Sequence, residues 1–184
     1  MLNLNGLDPY KSCICPLSVT SIGGDYGEAL TDIDVESYNF DEMMKEYIKI
    51  NGIHHTFLKE SCDALFIARS SDRKICLIEF KSGNIGKDLN NLKSKAYSSL
   101  LILTDVLNTT ISTTRICIHL FLVYDKEKNP LSKKEAIISD SAAKSNNRFV
   151  RFGLYKFEGL YFKEVHTVDK RDFSEYFRKH WLSE

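Results

Sequence analysis

The run RICIHLFLVYD (115–125) constrains this chain more than any other stretch. It is a nearly continuous apolar segment of strand length, interrupted by His119 and closed by Asp125. A strand without polar alternation belongs where both faces of a sheet are covered. The rest of the chain must therefore supply a layer on each side. KDLNNLKSKAYSSLLILTDVL (87–107) reads as a long helix, because Leu89, Leu92, Ala96, Leu100, Leu103 and Leu107 recur at steps of three and four and form one apolar stripe. NFDEMMKEYIKI (39–50) reads as another. Asn39 stands at its capping position with Glu42 three residues on, and Phe40, Met43, Met44, Tyr47 and Ile48 keep helical spacing.

Between those helices, SCDALFIARSSDRKICLIEFKSG (61–83) reads as two short strands, about 62–69 and 75–81, joined by the polar turn SSDRK. SKKEAIISDSAAKS (132–145) suits a further helix. RFVRFGLYKF and LYFKEVHTV suit a hairpin turning at Glu158-Gly159, and DFSEYFRKHW suits a closing helix with Phe173, Tyr176, Phe177 and Trp181 on one face. Residues 1–36 read as irregular, with Gly23, Gly24 and Gly27 as turns. The order α-β-β-α-β-α-β-β-α implies an α/β fold, a mixed central β-sheet flanked by helices. A chain of 184 residues suits one domain, 1–184, with its core at about 39–125 and a hairpin and helix closing it over 147–184.

Composition excludes little. Hydrophobic residues are 43% and charged residues 27% of the chain, ordinary for a globular protein, and 25 basic residues balance 25 acidic ones. That balance argues neither for nor against a polyanionic partner, since a local basic patch survives it. No apolar run approaches the roughly 20 residues of a membrane span, and the first residues lack a basic segment followed by an apolar one, so a cytoplasmic protein is expected. Cys62, Cys76 and Cys117 lie in apolar runs and read as small buried hydrophobes; Cys13 and Cys15 form a C-x-C without the second pair that a zinc site needs. His119 reads as a core histidine with one hydrogen bond, and His54 and His55 as loop residues close to the first strand of the pair. The order of a serine hydrolase, the nucleophile elbow and the P-loop do not occur.

Charge placement in 61–83 is the informative feature. Alternate side chains of a strand share a face, so Ile75, Leu77, Glu79 and Lys81 point one way and Cys76, Ile78 and Phe80 the other. If the two strands pair antiparallel, Asp63 at the start of the first meets Glu79 and Lys81 at the end of the second. Two neighbouring carboxylates repel, and a hard divalent cation relieves the repulsion, polarises a phosphoryl group and lowers the pKa of a bound water. A lysine beside them offsets charge that builds on a phosphate. Without that chemistry, the same residues are the solvated ends of an ordinary hairpin.

Asp63, fifteen intervening residues and Glu79-Phe80-Lys81 at a strand end, with a helix before and after, resemble the PD-(D/E)xK nuclease superfamily. The resemblance covers about residues 39–125 and implies a restriction-endonuclease-like α-β-β-α-β core. It implies Asp63 and Glu79 as ligands of Mg²⁺ (or Mn²⁺), the Phe80 backbone carbonyl as a further ligand and Lys81 as the catalytic lysine. Glu46, or with less support Glu42, corresponds to the acid that the family's first helix contributes. Lys93 and Tyr97 stand where some members carry Gln-x-x-x-Tyr, and a cation at 93 suits a backbone phosphate. Cys62 stands where the motif has proline. The implied activity is hydrolysis of DNA or RNA phosphodiester bonds, in a homodimer or larger complex, with phage defence or a toxin as the setting. The implied alternative is a non-catalytic binding or regulatory protein on the same fold.

Overall fold

The computed structural model describes residues 3–22, 27–54, 60–68, 74–145 and 147–182. The predicted turn glycines Gly23 and Gly24, His55, Arg69 and residues 70–73 of the polar turn lie outside them.

Six strands form one mixed sheet: β1 (Ile14–Pro16), β2 (Glu36–Asn39), β3 (Ala64–Ile67), β4 (Ile75–Lys81), β5 (Ile118–Tyr124) and β6 (Glu164–Asp169), side by side in sequence order. The first four pair antiparallel, and β4, β5 and β6 run parallel. Parallel neighbours require crossovers. The first is made by helices α3 (Ile85–Val106) and α4 (Ile111–Cys117), the second by α5 (Lys133–Lys144) and a 3-10 turn, Leu154–Phe157. Helix α1 (Leu17–Thr20) follows β1, α2 (Phe40–Ile50) joins β2 to the β3 side, and α6 (Lys170–Phe177) continues from β6 into a last turn, Arg178–Leu182.

Both faces of the sheet are covered, as the unbroken apolar character of β5 requires. On one face Leu65, Ile75, Leu77, Leu120 and Leu122 pack with Phe40, Met43 and Met44 of α2 and with Leu92, Ala96, Leu100 and Leu103 of α3. On the other, Phe66, Cys76, Ile78, Phe80, Phe121 and Val123 pack with Phe173, Phe177 and Trp181. The alternation expected in β4 holds, residue by residue. Asn39 caps α2 by accepting from the Glu42 amide at 3.1 Å, and Ser132 with Glu135 forms a full capping box on α5.

Three expectations are corrected. The strand expected at 115–125 begins at Ile118, and 111–117 are helical. A continuous apolar run has no period by which helix and strand differ, and here Thr114 ties the helix down by donating to the Ile111 and Tyr161 carbonyls. The hairpin expected over 148–168 does not form: β6 pairs with β5 instead. Phe152 and Gly153 both have positive φ, 59° and 69°, which breaks the extended chain just before Leu154. Arg151 is then anchored to the Asn129 carbonyl at 2.7 Å. Finally, residues 4–20 of the N-terminal segment are not irregular, whereas 27–35 carry no helix or strand. Leu4–Cys13 wind into a 3-10 helix, and β1 gives the sheet an edge that pairs with β2 through Cys15 and Ser37.

All five cysteines are free; Cys13, Cys62 and Cys76 are buried, Cys15 and Cys117 partly so. Among the described residues, no helix is long and apolar enough to cross a membrane.

Candidate functional site

The antiparallel register pairs Ala64 with Ile78 and Leu65 with Leu77. One further step sets Asp63 opposite Glu79, and the Asp63 amide donates to the Ile78 carbonyl at 3.0 Å. Asp63 also anchors α2, because its carbonyl accepts from the Phe40 amide at 3.0 Å. One carboxylate oxygen of Asp63 accepts from the Phe80 amide at 2.6 Å, which fixes the side chain and leaves Oδ1 turned inward.

Glu79 is completely buried. Its partner is Lys95 of α3, whose Nζ donates to Oε1 at 2.9 Å and Oε2 at 3.2 Å. The same ammonium lies 3.5 Å from Asp63 Oδ1. Lys81 extends from the end of β4 with its ammonium 3.6 Å from Glu79 Oε1 and 3.0 Å from Asp88 Oδ2. The centre thus holds two facing acids and two ammoniums, with Asp63 and Glu79 both within ion-pair distance of Lys95.

Helix α3 supplies this polar lining through one stripe. Asp88 pairs with Lys81; Asn91 donates to Glu60 at 2.7 Å; Lys95 holds the acids; and the Ser99 hydroxyl accepts from the Cys62 amide at 2.7 Å. Spacings of three, four and four place these residues on one helical face, beside the apolar stripe that buries the helix. Asn91 Oδ1 is buried with no hydrogen-bond partner.

Burial dominates the electrostatics. It pushes the Glu79 carboxyl up to about 8, with the neighbouring Asp63 adding to the rise against the opposing pull of Lys95. Burial likewise pushes Asp63 up to about 6, while Lys95 and the Phe80 amide pull the other way. Burial pulls the Lys95 ammonium down, but Glu79 and Asp63 outweigh it, and its pKa is raised.

The structure brings together Asp63, Glu79 and Lys81. Phe80 lies between them with its ring on the opposite face, 5.7 Å from the Phe173 ring, and contributes its amide to Asp63. Glu46 is not brought to the site; it pairs with Lys49 at 3.3 Å on the flank of α2. Glu42 pairs with Lys45 at 2.6 Å. The acid of α2 nearest the centre is Asp41, in its first turn, which accepts from the Ser61 hydroxyl. Tyr97 packs its ring against Phe157 at 5.0 Å and Tyr161 at 5.3 Å, and helical periodicity sets Lys93 off the α3 face that carries Asp88, Asn91, Lys95 and Ser99. His54 is exposed.

No protein-family model, curated protein or solved structure matches the chain.

Proposed function

We propose that the chain is a metal-dependent nuclease that hydrolyses phosphodiester bonds of DNA or RNA, built on a PD-(D/E)xK-like α-β-β-α-β core formed by α2, β3, β4, α3 and β5. The observation that carries this reading is the convergence of Asp63 and Glu79 oxygens on a single cationic atom, Lys95 Nζ, at 3.5 and 2.9 Å. Two carboxylates aimed at one point form an all-oxygen donor set, the kind Mg²⁺ or Mn²⁺ takes. Asp63 and Glu79 would hold such an ion once Lys95, on its flexible stem, withdrew its ammonium.

Bound by Asp63 and Glu79, the ion supplies Lewis-acid polarisation of a phosphoryl oxygen and a more acidic water. The chain supplies the rest. The Phe80 amide holds Asp63 in place, and burial keeps Glu79 from exchanging the site for solvent. Lys81, already 3.6 Å from Glu79, offers its ammonium to the charge that builds on the phosphate.

Lys95 also supports a second reading, a non-catalytic binding or regulatory protein. In that case the ammonium between the two acids is their permanent counter-ion, and the cluster is a closed polar network.

The experiment is a cleavage assay of wild type, Glu79→Gln and Lys81→Ala on plasmid, single-stranded DNA and RNA, with Mg²⁺, Mn²⁺ or EDTA. Metal-dependent cleavage lost in both folded variants is the expected result and names the substrate class. A parallel melting curve separates the readings. At a metal concentration ten times Kd, binding adds about 1.4 kcal/mol of stability, about 3–6 °C for a chain of this size. No cleavage and no metal-dependent shift in the folded wild type would overturn the nuclease reading.

A further inference from the structure

A second cluster lies at the opposite end of the parallel strands and on the opposite face of the sheet. The register of β5 and β6 pairs His119 with Glu164 and Phe121 with His166. Side chains two apart on a strand share a face, so His119, Glu164 and His166 project together. Both imidazoles are buried, and the His166 ring stacks on Phe121 at 4.3 Å while the edge-on Trp181 ring lies 4.8 Å from His119.

We infer that His119 Nδ1, Glu164 Oε2 and His166 Nε2 form a binding site for a borderline divalent cation of the zinc type. Among the described residues, this is the one group of three such side chains whose ligand atoms lie together. The two nitrogens share a hydrogen bond at 3.2 Å, which ligation would replace, and Glu164 lies 3.7 Å from His119 and 3.5 Å from His166. Ligands about 2.0–2.1 Å from a tetrahedral Zn²⁺ stand about 3.3 Å from one another. The three atoms therefore already outline one face of such a tetrahedron. A circle through them has a radius of about 2.0 Å, so an ion at zinc bond length sits just off their plane.

The donor set selects the cation. Two imidazole nitrogens and one carboxylate suit zinc and its neighbours, whereas Mg²⁺ prefers oxygen throughout. Ligation takes both imidazoles in the neutral form, and both are buried. The far nitrogen of His166, Nδ1, lies 3.2 Å from the Tyr176 hydroxyl, which accepts from Nδ1–H once Nε2 is engaged by metal. Arg148 is the competitor. Its guanidinium lies 3.3 Å from Glu164 Oε2 and 3.4 Å from His166 Nδ1, but it also holds Glu158 at 2.7 Å, a partner it keeps when Glu164 turns to the ion. Access exists on two sides. Glu164 is partly exposed, and His166 lines a cavity of about 380 Å³ together with Arg148 and Tyr176. A water or an incoming group completes the coordination.

Protein stripped with EDTA and dialysed is titrated calorimetrically with ZnCl₂, and with Co²⁺ followed by visible absorption. Wild type and Glu79→Gln, whose substitution lies in the other centre, take up one equivalent of Zn²⁺, and Co²⁺ gives the intense visible bands of a tetrahedral site. Glu164→Gln, a substitution at the surface, and His119→Gln each lower the affinity about tenfold or more, with circular dichroism confirming that the variants fold. Absence of saturable Zn²⁺ binding in wild type overturns the site. So does affinity unchanged in folded Glu164→Gln, or a thiolate-to-cobalt charge-transfer band, which would assign the ion to cysteines.

Discussion

Asp63 stands directly opposite Glu79, one step beyond the last paired residues of β3 and β4, and the single ammonium of Lys95 serves both carboxylates. Such an arrangement is costly to bury. Lys95 at 2.9 Å and Lys81 at 3.6 Å oppose the charge of Glu79, but the loss of solvent outweighs them in a centre where Glu79 has no contact with water. The chain tolerates it by raising both carboxyl pKa values, so that a proton shares the work of Lys95 near neutral pH. A cation of higher charge would release that proton.

The first prediction concerns pH. Folded Glu79, at about 8, holds a proton that the unfolded chain, near 4.3, has already released. Its contribution to stability is full below the unfolded value and is lost as pH rises through the folded one. Asp63 behaves alike up to about 6. His119 and His166 oppose both below pH 6.5, because the unfolded imidazoles take up protons that the folded ones refuse. The window that belongs to Glu79 is therefore pH 6.5 to 8. Urea denaturation should show wild-type stability falling there by on the order of 1–2 kcal/mol, and Glu79→Gln should lack that fall. Equal slopes in the two proteins would refute the shift.

The second concerns Lys95. Lys95→Met leaves the two carboxylates buried without their shared partner, and breaking a buried pair from one side costs about 3–5 kcal/mol. The loss should be largest at pH 8, where Glu79 must ionise, and smaller at pH 5, where it keeps its proton. Adding Glu79→Gln to Lys95→Met should restore part of the stability at pH 8. Denaturation of the single and double variants at both pH values measures this coupling; the same loss at pH 5 and pH 8 would mean that packing, not charge, is what Lys95 provides.

Much of this centre was legible in the sequence. Period-two alternation fixes which residues of ICLIEFK share a face, and antiparallel pairing across a short turn then brings Asp63 to Glu79. Lys95 was not legible as their partner. It is one of three lysines in the first half of α3, with Lys87 and Lys93, and only the spacing of Asp88, Asn91, Lys95 and Ser99 marks its face as the polar one. Nothing in the sequence marks Asp41 rather than Glu46 or Glu42, because a helix pattern gives no direction to the neighbouring strand; the bond from the Phe40 amide to the Asp63 carbonyl brings the first turn of α2 to the site. The edge strand β1 and its neighbour β2, of three and four residues, are too short for alternation to show. Between β5 and β6, the left-handed pair Phe152-Gly153 overrides apolar runs that look like a hairpin.

The third prediction tests the contact between the N-terminal 3-10 helix and α3. Gly6 lies against the C-terminal end of α3 so closely that a Cβ built on it would meet the Val106 carbonyl oxygen at 1.8 Å and its carbon at 2.9 Å. Both are backbone atoms, which cannot swing aside as a side chain can. Gly6→Ala must push Leu4–Cys13 away from α3, lifting Leu7 and Tyr10, both buried, from the core they share with Leu103 and Leu107. Overpacking of this kind costs about 1–3 kcal/mol, and a lower denaturation midpoint is expected. Lys95 lies three turns of α3 before this contact, so the affinity for Mn²⁺ proposed at Asp63 and Glu79 should be the same in the folded variant as in wild type. A Gly6→Ala protein as stable as wild type would show that the segment does not pack on α3 as described.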